Sequence, residues 1–397
     1  MKAVKLGDVA DVRISGVDKK TLPDELPIRL CNYTDVYYNW TIRKDMSSRF
    51  MLASARSSEI AKFRLSSGQV VLTKDSETRG DIGHSAYVAD DFDDVILGYH
   101  CALVTPHKGE LDGQYLNGVF RTRHISDYLS RNAGGSGQRF YLSDATIKAM
   151  PIWLPPYEMQ LRIAGVLGSL DEKIALNRKK IAELEALAKT IYDYWFVQFD
   201  FPDKNGRPYK SSGGKMVWNE QLKREIPEGW EVTTLESVLS VCSGKDHKHL
   251  RDGTYPALGS GGIMRHVADY LYDGESVLIP RKGTLNNVIF MQSPFWTVDT
   301  MFYTRPKRER LMKYVYMTIR DFDFARLNTG TGVPSMTASI INRISIVVPP
   351  NNLISETDRL LKNLFAQVET LRAEIESLSG TRNTLLPLLM NGQVVAT

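Results

Sequence analysis

The stretch that decides the fold is Ile163-Ala164-Gly165-Val166-Leu167-Gly168-Ser169-Leu170-Asp171-Glu172-Lys173-Ile174-Ala175-Leu176-Asn177. Its apolar residues return at Ile163, Leu167, Leu170 and Ile174. The frame runs on through Asn177, Ile181, Leu184, Ala188, Ile191 and Trp195 in alternating steps of four and three. Such a heptad seam predicts a long helix that needs a partner helix along its length. At ~1.5 Å per residue a run of this length makes a rod of ~50 Å. Asn177 is the polar interruption, and a lone seam asparagine fixes register at some cost in stability.

The partner is near the other end of the chain. Leu361, Leu364, Val368, Leu371, Ile375, Leu378, Leu385 and Leu389 keep the same frame, and the seam positions lie 194 residues after their counterparts. The alternative, one ordinary amphipathic helix per domain, does not require two seams of this length to match. The repeat extends upstream. Pro155-Pro156 and Pro349-Pro350 are also 194 apart, each after an alternating apolar run that reads as a strand, Pro151–Leu154 and Ile344–Val348. Leu6, Val9 and Val12 match Leu235, Val238 and Val241 at a spacing of 229.

The chain therefore reads as a tandem duplication with steady ends and variable middles. The expected class is α/β (α+β): two globular domains separated by a long antiparallel two-helix coiled coil, with a pseudo-twofold internal repeat. The segments are a first lobe (1–155), a first helix (156–197), a linker rich in turn formers (198–229), a second lobe (230–350) and a second helix (351–397).

Composition limits the function. The 397 residues are 43% hydrophobic and 24% charged, an ordinary globular mix. No run approaches the ~18 apolar residues of a membrane helix. Cys31, Cys101 and Cys242 form no CxxC pair, which fits a reducing cytoplasm. Net charge is only +4, and residues 230–350 carry +3 of it.

Catalytic signatures are missing. Leu154-Pro155-Pro156-Tyr157 resembles the Pro-Pro loop of amino-methyltransferases, but leucine cannot hydrogen-bond a target amino group, so a rigid strand-to-helix corner is expected. Gly259-Ser260-Gly261-Gly262 does not fit a dinucleotide fingerprint, and Gly213-Gly214-Lys215-Met216 fails the P-loop pattern. Asp171-Glu172-Lys173 reads as a solvated helix face rather than a nuclease carboxylate set. His247 and His249 lack an evident third metal ligand. No metal site and no cofactor is expected on this chain.

Two kinds of loop recur instead. Lys74 and Arg79 in one half correspond to Arg281, Lys282, Asn286 and Asn287 in the other. Asn132, Ser136, Gln138 and Arg139 correspond to Asn328, Thr329 and Thr331. Lysine and arginine neutralise phosphate, glycine lets backbones approach, and arginine and asparagine match guanine and adenine edges. Singly each loop is a plain surface turn; their recurrence points to DNA contact. Lobes ~50 Å apart would span on the order of 15 base pairs at ~3.4 Å per pair, and divergent lobes imply an asymmetric site. A stand-alone DNA methyltransferase or nuclease and a coiled-coil scaffold are the competing readings.

The combination resembles the specificity subunit of type I restriction-modification systems. It is carried by Pro155-Pro156-Tyr157-Glu158-Met159-Gln160-Leu161-Arg162-Ile163, Leu170-Asp171-Glu172-Lys173-Ile174, Tyr194-Trp195-Phe196-Val197-Gln198-Phe199-Asp200-Phe201, Ile226-Pro227-Glu228-Gly229-Trp230 and Gly330-Thr331-Gly332-Val333-Pro334-Ser335. The resemblance implies two target recognition domains on double-stranded DNA and a non-catalytic role. It implies helices that dock two modification subunits, together with restriction/translocase subunits, and no membrane association. Methyl donor, ATP and magnesium would sit on those partners. The second copy departs from the pattern at Pro350-Asn351-Asn352, where the acidic-Gln start of the helix is absent.

Overall fold

Both heptad runs are continuous helix, Tyr157–Tyr192 and Asn351–Met390. The first follows the Pro155-Pro156 corner and ends in a π turn, Asp193–Val197, that turns Phe196 into a core. The second stops where Gly392 takes a left-handed φ of 69° and donates its N–H to Leu389. The computed structural model describes residues 2–135 and 137–394. It resolves into two units, one built from residues 1–179 and 372–397, the other from Lys180–Leu371.

In the first unit a five-stranded sheet runs in the order Ala10–Ile14, Cys101–Pro106, Val70–Thr73, Ser85–Val88, Thr41–Ile42. A three-stranded sheet, Met51–Ala55, Leu26–Cys31, Val95–Leu97, closes a second core around Leu30, Leu65 and Ile96. The N-terminal strand Lys2–Lys5 pairs antiparallel with Pro151–Leu154, the strand expected before the first Pro-Pro corner. The main core joins Leu72, Val104, Tyr115 and Leu116 of the lobe to Ile163 and Leu167 of the first long helix and to Leu386, Leu389 and Met390 of the second. Gly118 lies at this junction, where an added Cβ would displace the flexible Met390 methyl and come within 3.3 and 3.4 Å of the Leu167 and Leu386 side chains. The burial of Ile163 and Leu167 contributes on the order of 2 kcal/mol each.

The second unit repeats the plan. Leu239–Ser243, Met301–Pro306 and Ser276–Pro280 lie side by side as their counterparts do, extended by Ile289–Met291. Glu231–Thr234 pairs with Ser345–Val348, the strand before the second Pro-Pro corner. Gly262–Val267, Asp252–Gly259 and Trp296–Thr297 form a separate three-stranded sheet.

Residues 198–229 are more than the aperiodic linker expected. Met216–Asn219 and Arg224–Pro227 form a hairpin, and the Phe199 and Phe201 rings pack on Trp230 at 5.4 and 5.3 Å. Irregularly spaced aromatics carry no periodicity in sequence, yet they bury well against one indole.

The two helix starts are built differently. In the first unit buried Gln160 accepts from the Asp112 N–H (2.9 Å) and donates to the carbonyls of Glu110 (2.9 Å) and Pro155 (3.0 Å). The matching position in the second unit is Ile354, which enters the apolar core. There Lys313 takes over the polar tether, pairing with Glu275 and, at 2.8 Å, with Asp358 on the second long helix.

Candidate nucleic-acid interface

The two kinds of loop singled out in the sequence meet within each unit. In the first, the chain leaves strand Val70–Thr73 through Lys74, and Asp75–Ser76 pairs with Phe140–Tyr141 at the far end of the glycine loop. The Leu142 N–H donates to the Lys74 carbonyl at 2.7 Å. In the second, Arg281 follows strand Ser276–Pro280; Lys282 bridges to Ser335, Gly283 N–H donates to the Pro334 carbonyl (2.9 Å), and Met336 N–H to that of Arg281 (2.8 Å). Glycine is required at two of these approaches. Gly135 has φ 96° and a Cβ there would lie 2.2 Å from the Arg139 carbonyl; Gly283 has φ 85°.

Several of these side chains are bonded within the loops and hold them in shape. Lys74 is committed internally: only 16% exposed, its ammonium donates to both Asp75 oxygens at 3.0 and 2.8 Å, and Asp75 also meets His100 Nδ1 at 2.7 Å. Asn328 accepts from the Gly330 and Ser335 N–H groups at 2.8 Å each, and the Thr329 hydroxyl donates to the Ser335 carbonyl. Asn286 accepts from the Ala325 N–H (3.0 Å) and donates to Asp323 (3.2 Å). Asn287 donates to the Ser260 carbonyl at 2.9 Å.

Arg79 is exposed, with its guanidinium 4.8 Å from the Phe140 ring centroid. Asn132, at the end of helix Arg123–Asn132, donates to the Tyr128 carbonyl and is exposed, as are Gln138, Arg139 and Thr331. Half-buried Arg281 lies 5.7 Å from the Phe302 ring, and Lys282 faces Asp299 at 3.8 Å. Ser136 lies outside the described residues. Arg139 also lines a cavity of about 430 Å³ with Lys19, Tyr33, Glu77, Asp81 and His100. Burial, helped by the Asp81 carboxylate, pushes the Tyr33 phenol up to about 12, so it stays a neutral donor.

Sequence reasoning missed one element beside these loops. The turn Gly259–Gly262, noticed only as a failed nucleotide motif, is a hairpin tip that the Asn287 bond ties to the Arg281 loop. It carries Ile263 and Met264, 60% and 58% exposed. The signal was present as an apolar pair straight after a glycine-rich turn. Neither His247 nor His249 joins a metal-ligand cluster among the described residues.

The seam residues face inward. In the first unit Ile163, Leu167, Ile174 and Asn177 are buried, and Leu170, Ile375 and Leu378 are half-buried. Asn177 donates to Glu374 of the facing helix at 2.8 Å, and its own Oδ1 is a buried acceptor with no hydrogen-bond partner among the described residues. In the second unit Leu361 and Val368 are buried, Leu361 beside Ala188 and Met317, while Ile181, Leu184, Leu364 and Leu371 are half-buried. Within each unit, later positions of one helix meet earlier positions of the other, so the pairing is antiparallel.

One expectation is corrected. Asp171 does not lie on a solvated face. It is 7% exposed and bonded to Thr41, Arg43 and Arg382. Helical periodicity gave no sign that the Trp40–Arg43 segment folds back over this helix.

Two stretches, residues 1–186 and 227–378, match the model of the type I restriction modification DNA specificity domain. The chain belongs to this family. Among curated relatives, the MjaIX specificity subunit of Methanocaldococcus jannaschii is 26% identical over 365 residues, covering 82% of this chain and 78% of that protein. The HindI specificity subunit of Haemophilus influenzae is 18% identical over 393 residues, covering 80% and 85%. The fold matches the crystal structure of the S subunit from M. genitalium with a TM-score of 0.56 at 16% identity, covering 98% of this chain and 95% of that one. The family's specificity domain is thus present twice, and as specificity subunits do, the chain supplies DNA recognition to a type I system rather than catalysis.

Proposed function

We propose that the two lobes each read one half of an asymmetric, bipartite site on double-stranded DNA. The observation that carries this is the joining, in both lobes, of a basic loop after an equivalent strand to a glycine-rich loop before an equivalent helix. Exposed Arg79, Asn132, Gln138 and Arg139 supply contacts in the first lobe, with Ser136 in the same loop. Arg281, Lys282 and Thr331 supply them in the second. Lys74, Asn286, Asn287, Asn328 and Thr329 hold those loops in shape and present their backbone amides to phosphate. The long helices dock two modification subunits, which bring restriction/translocase subunits into the complex. The methyl donor, ATP and magnesium belong to those partners, and the complex works in the cytoplasm. Among the described residues no helix is long and apolar enough to cross a membrane.

Long-read methylation mapping of cells with and without the gene tests this. A bipartite methylated site should vanish on deletion, and an unchanged methylome would refute the reading. Replacing residues 1–155 with another family member's first lobe should change one half-site and leave the other intact.

A further inference from the structure

The Asp171 cluster has a geometry that stability alone does not require. Asp171 projects from the first long helix, and its Oδ2 accepts from the Thr41 hydroxyl at 2.7 Å and from Arg43 at 2.9 Å. Its Oδ1 accepts from Arg382 of the second long helix at 3.1 Å. Two guanidinium groups lie against the Trp40 ring, that of Arg382 at 4.2 Å and that of Arg121 at 4.7 Å from its centroid. One carboxylate therefore ties both helices to one short lobe segment.

That segment also leads to the DNA-facing loop. Thr41–Ile42 is the edge strand of the sheet, two places from Val70–Thr73, the strand that emits Lys74 and Arg79. Arg121 donates to the Asn39 carbonyl at 2.8 Å and to that of Ser85 on the intervening strand. Just upstream, the Tyr37 hydroxyl donates to both oxygens of Asp81, at the far end of the same loop. A few residues, Tyr37 to Arg43, thus link the loop to the helices. Both helices continue beyond this unit, through residue 192 and back to residue 351.

We propose that Asp171 is a positioning residue for DNA recognition: it sets the pose of the first lobe's loops on the long helices, and through it the number of base pairs accepted between the half-sites. This rests on the bipartite reading above. A buried carboxylate with partners on two separate segments, the Thr41–Arg43 segment and the second long helix, holds one geometry and penalises others, because any displacement leaves charge unpaired in a low dielectric.

The test uses the complete complex with its modification partner and duplexes whose half-sites, taken from the methylation map, are separated by the native spacer or by one base pair more or less. Wild type should methylate the native spacing selectively. Asp171→Asn should lose that selectivity by about tenfold while keeping both half-site sequences. Thr41→Val, which removes one bond and leaves the ion pairs, should move in the same direction by a smaller factor. Leu103→Ala, a core cavity in the same lobe matched for loss of thermal stability, should retain wild-type spacing selectivity. The proposal is overturned if both polar variants keep that selectivity, or if Leu103→Ala relaxes it equally. A wild-type complex that methylates no bipartite site at all would instead bring down the underlying reading, and this proposal with it.

Discussion

Asp358→Ala would strip one of two carboxylates from a nearly buried ammonium. Lys313, 2% exposed, sits in helix Met312–Ile319 and pairs with Asp358 at 2.8 Å and with Glu275. Asp358 is 15% exposed and Glu275 32%. Breaking a buried pair costs about 3–5 kcal/mol when the remaining charge is left uncompensated. Here Glu275 still faces Lys313 but is partly solvated, so about 2–3 kcal/mol is the expected loss. For a unit of this size about 2–4 °C per kcal/mol applies, which puts the fall in the second unit's transition at roughly 5–10 °C. Lys313→Met combined with Asp358→Leu should recover to within about 1 kcal/mol of wild type, since the double change removes both desolvated charges and leaves Glu275 able to hydrate. Scanning calorimetry with hydrogen exchange on the second unit reads both. A loss below about 0.5 kcal/mol for Asp358→Ala, or a double variant less stable than the single, would refute the reasoning.

Gln160→Leu should destabilise the first unit by about 2–3 kcal/mol, measured by denaturant midpoint, because the Asp112 N–H and two carbonyls lose their partner. Asn177→Leu should raise the melting temperature, since it removes a buried unpaired Oδ1, and should loosen helix register, scored by cysteine cross-linking across the seam; an unchanged or lower melting temperature counts against the account. Arg139→Ala and Lys282→Ala should each weaken DNA binding by the complex; where the lost contact is to phosphate, the slope of log affinity against log salt should fall by about one. Lys74→Ala, in contrast, should lower first-unit stability while changing that slope little, because its charge is spent on Asp75.

The long helices, the duplication and the strands before each Pro-Pro corner were legible because they repeat at a fixed offset and obey simple periods. The loops were legible as places, since glycine and basic residues recur there, but individual roles were not. Lys74 reads as a phosphate contact until His100, distant in sequence, is seen to share Asp75 with it. Asp171 reads as solvated because a helical wheel shows the facing helix and not the lobe segment that covers it. Gln160 and Lys313 do the same task at non-equivalent positions, so comparing the two copies hides rather than reveals them. The lobe sheets were beyond sequence reading, since their strands are short and several, such as Val70–Thr73, are buried on both faces and lack alternation.

The first unit's core includes Leu386, Leu389 and Met390, whereas the second is one uninterrupted segment. Order of synthesis and order of completion are therefore opposed. On the ribosome the second lobe can close as soon as it emerges. The first lacks part of its core until the last helix arrives, roughly 10–40 s later at ordinary elongation rates. A premature stop near the end of the message would thus damage the lobe made first and spare the lobe made last. Quality control gains a simple criterion from this: a nascent or truncated subunit is marked by an open apolar face on its N-terminal half.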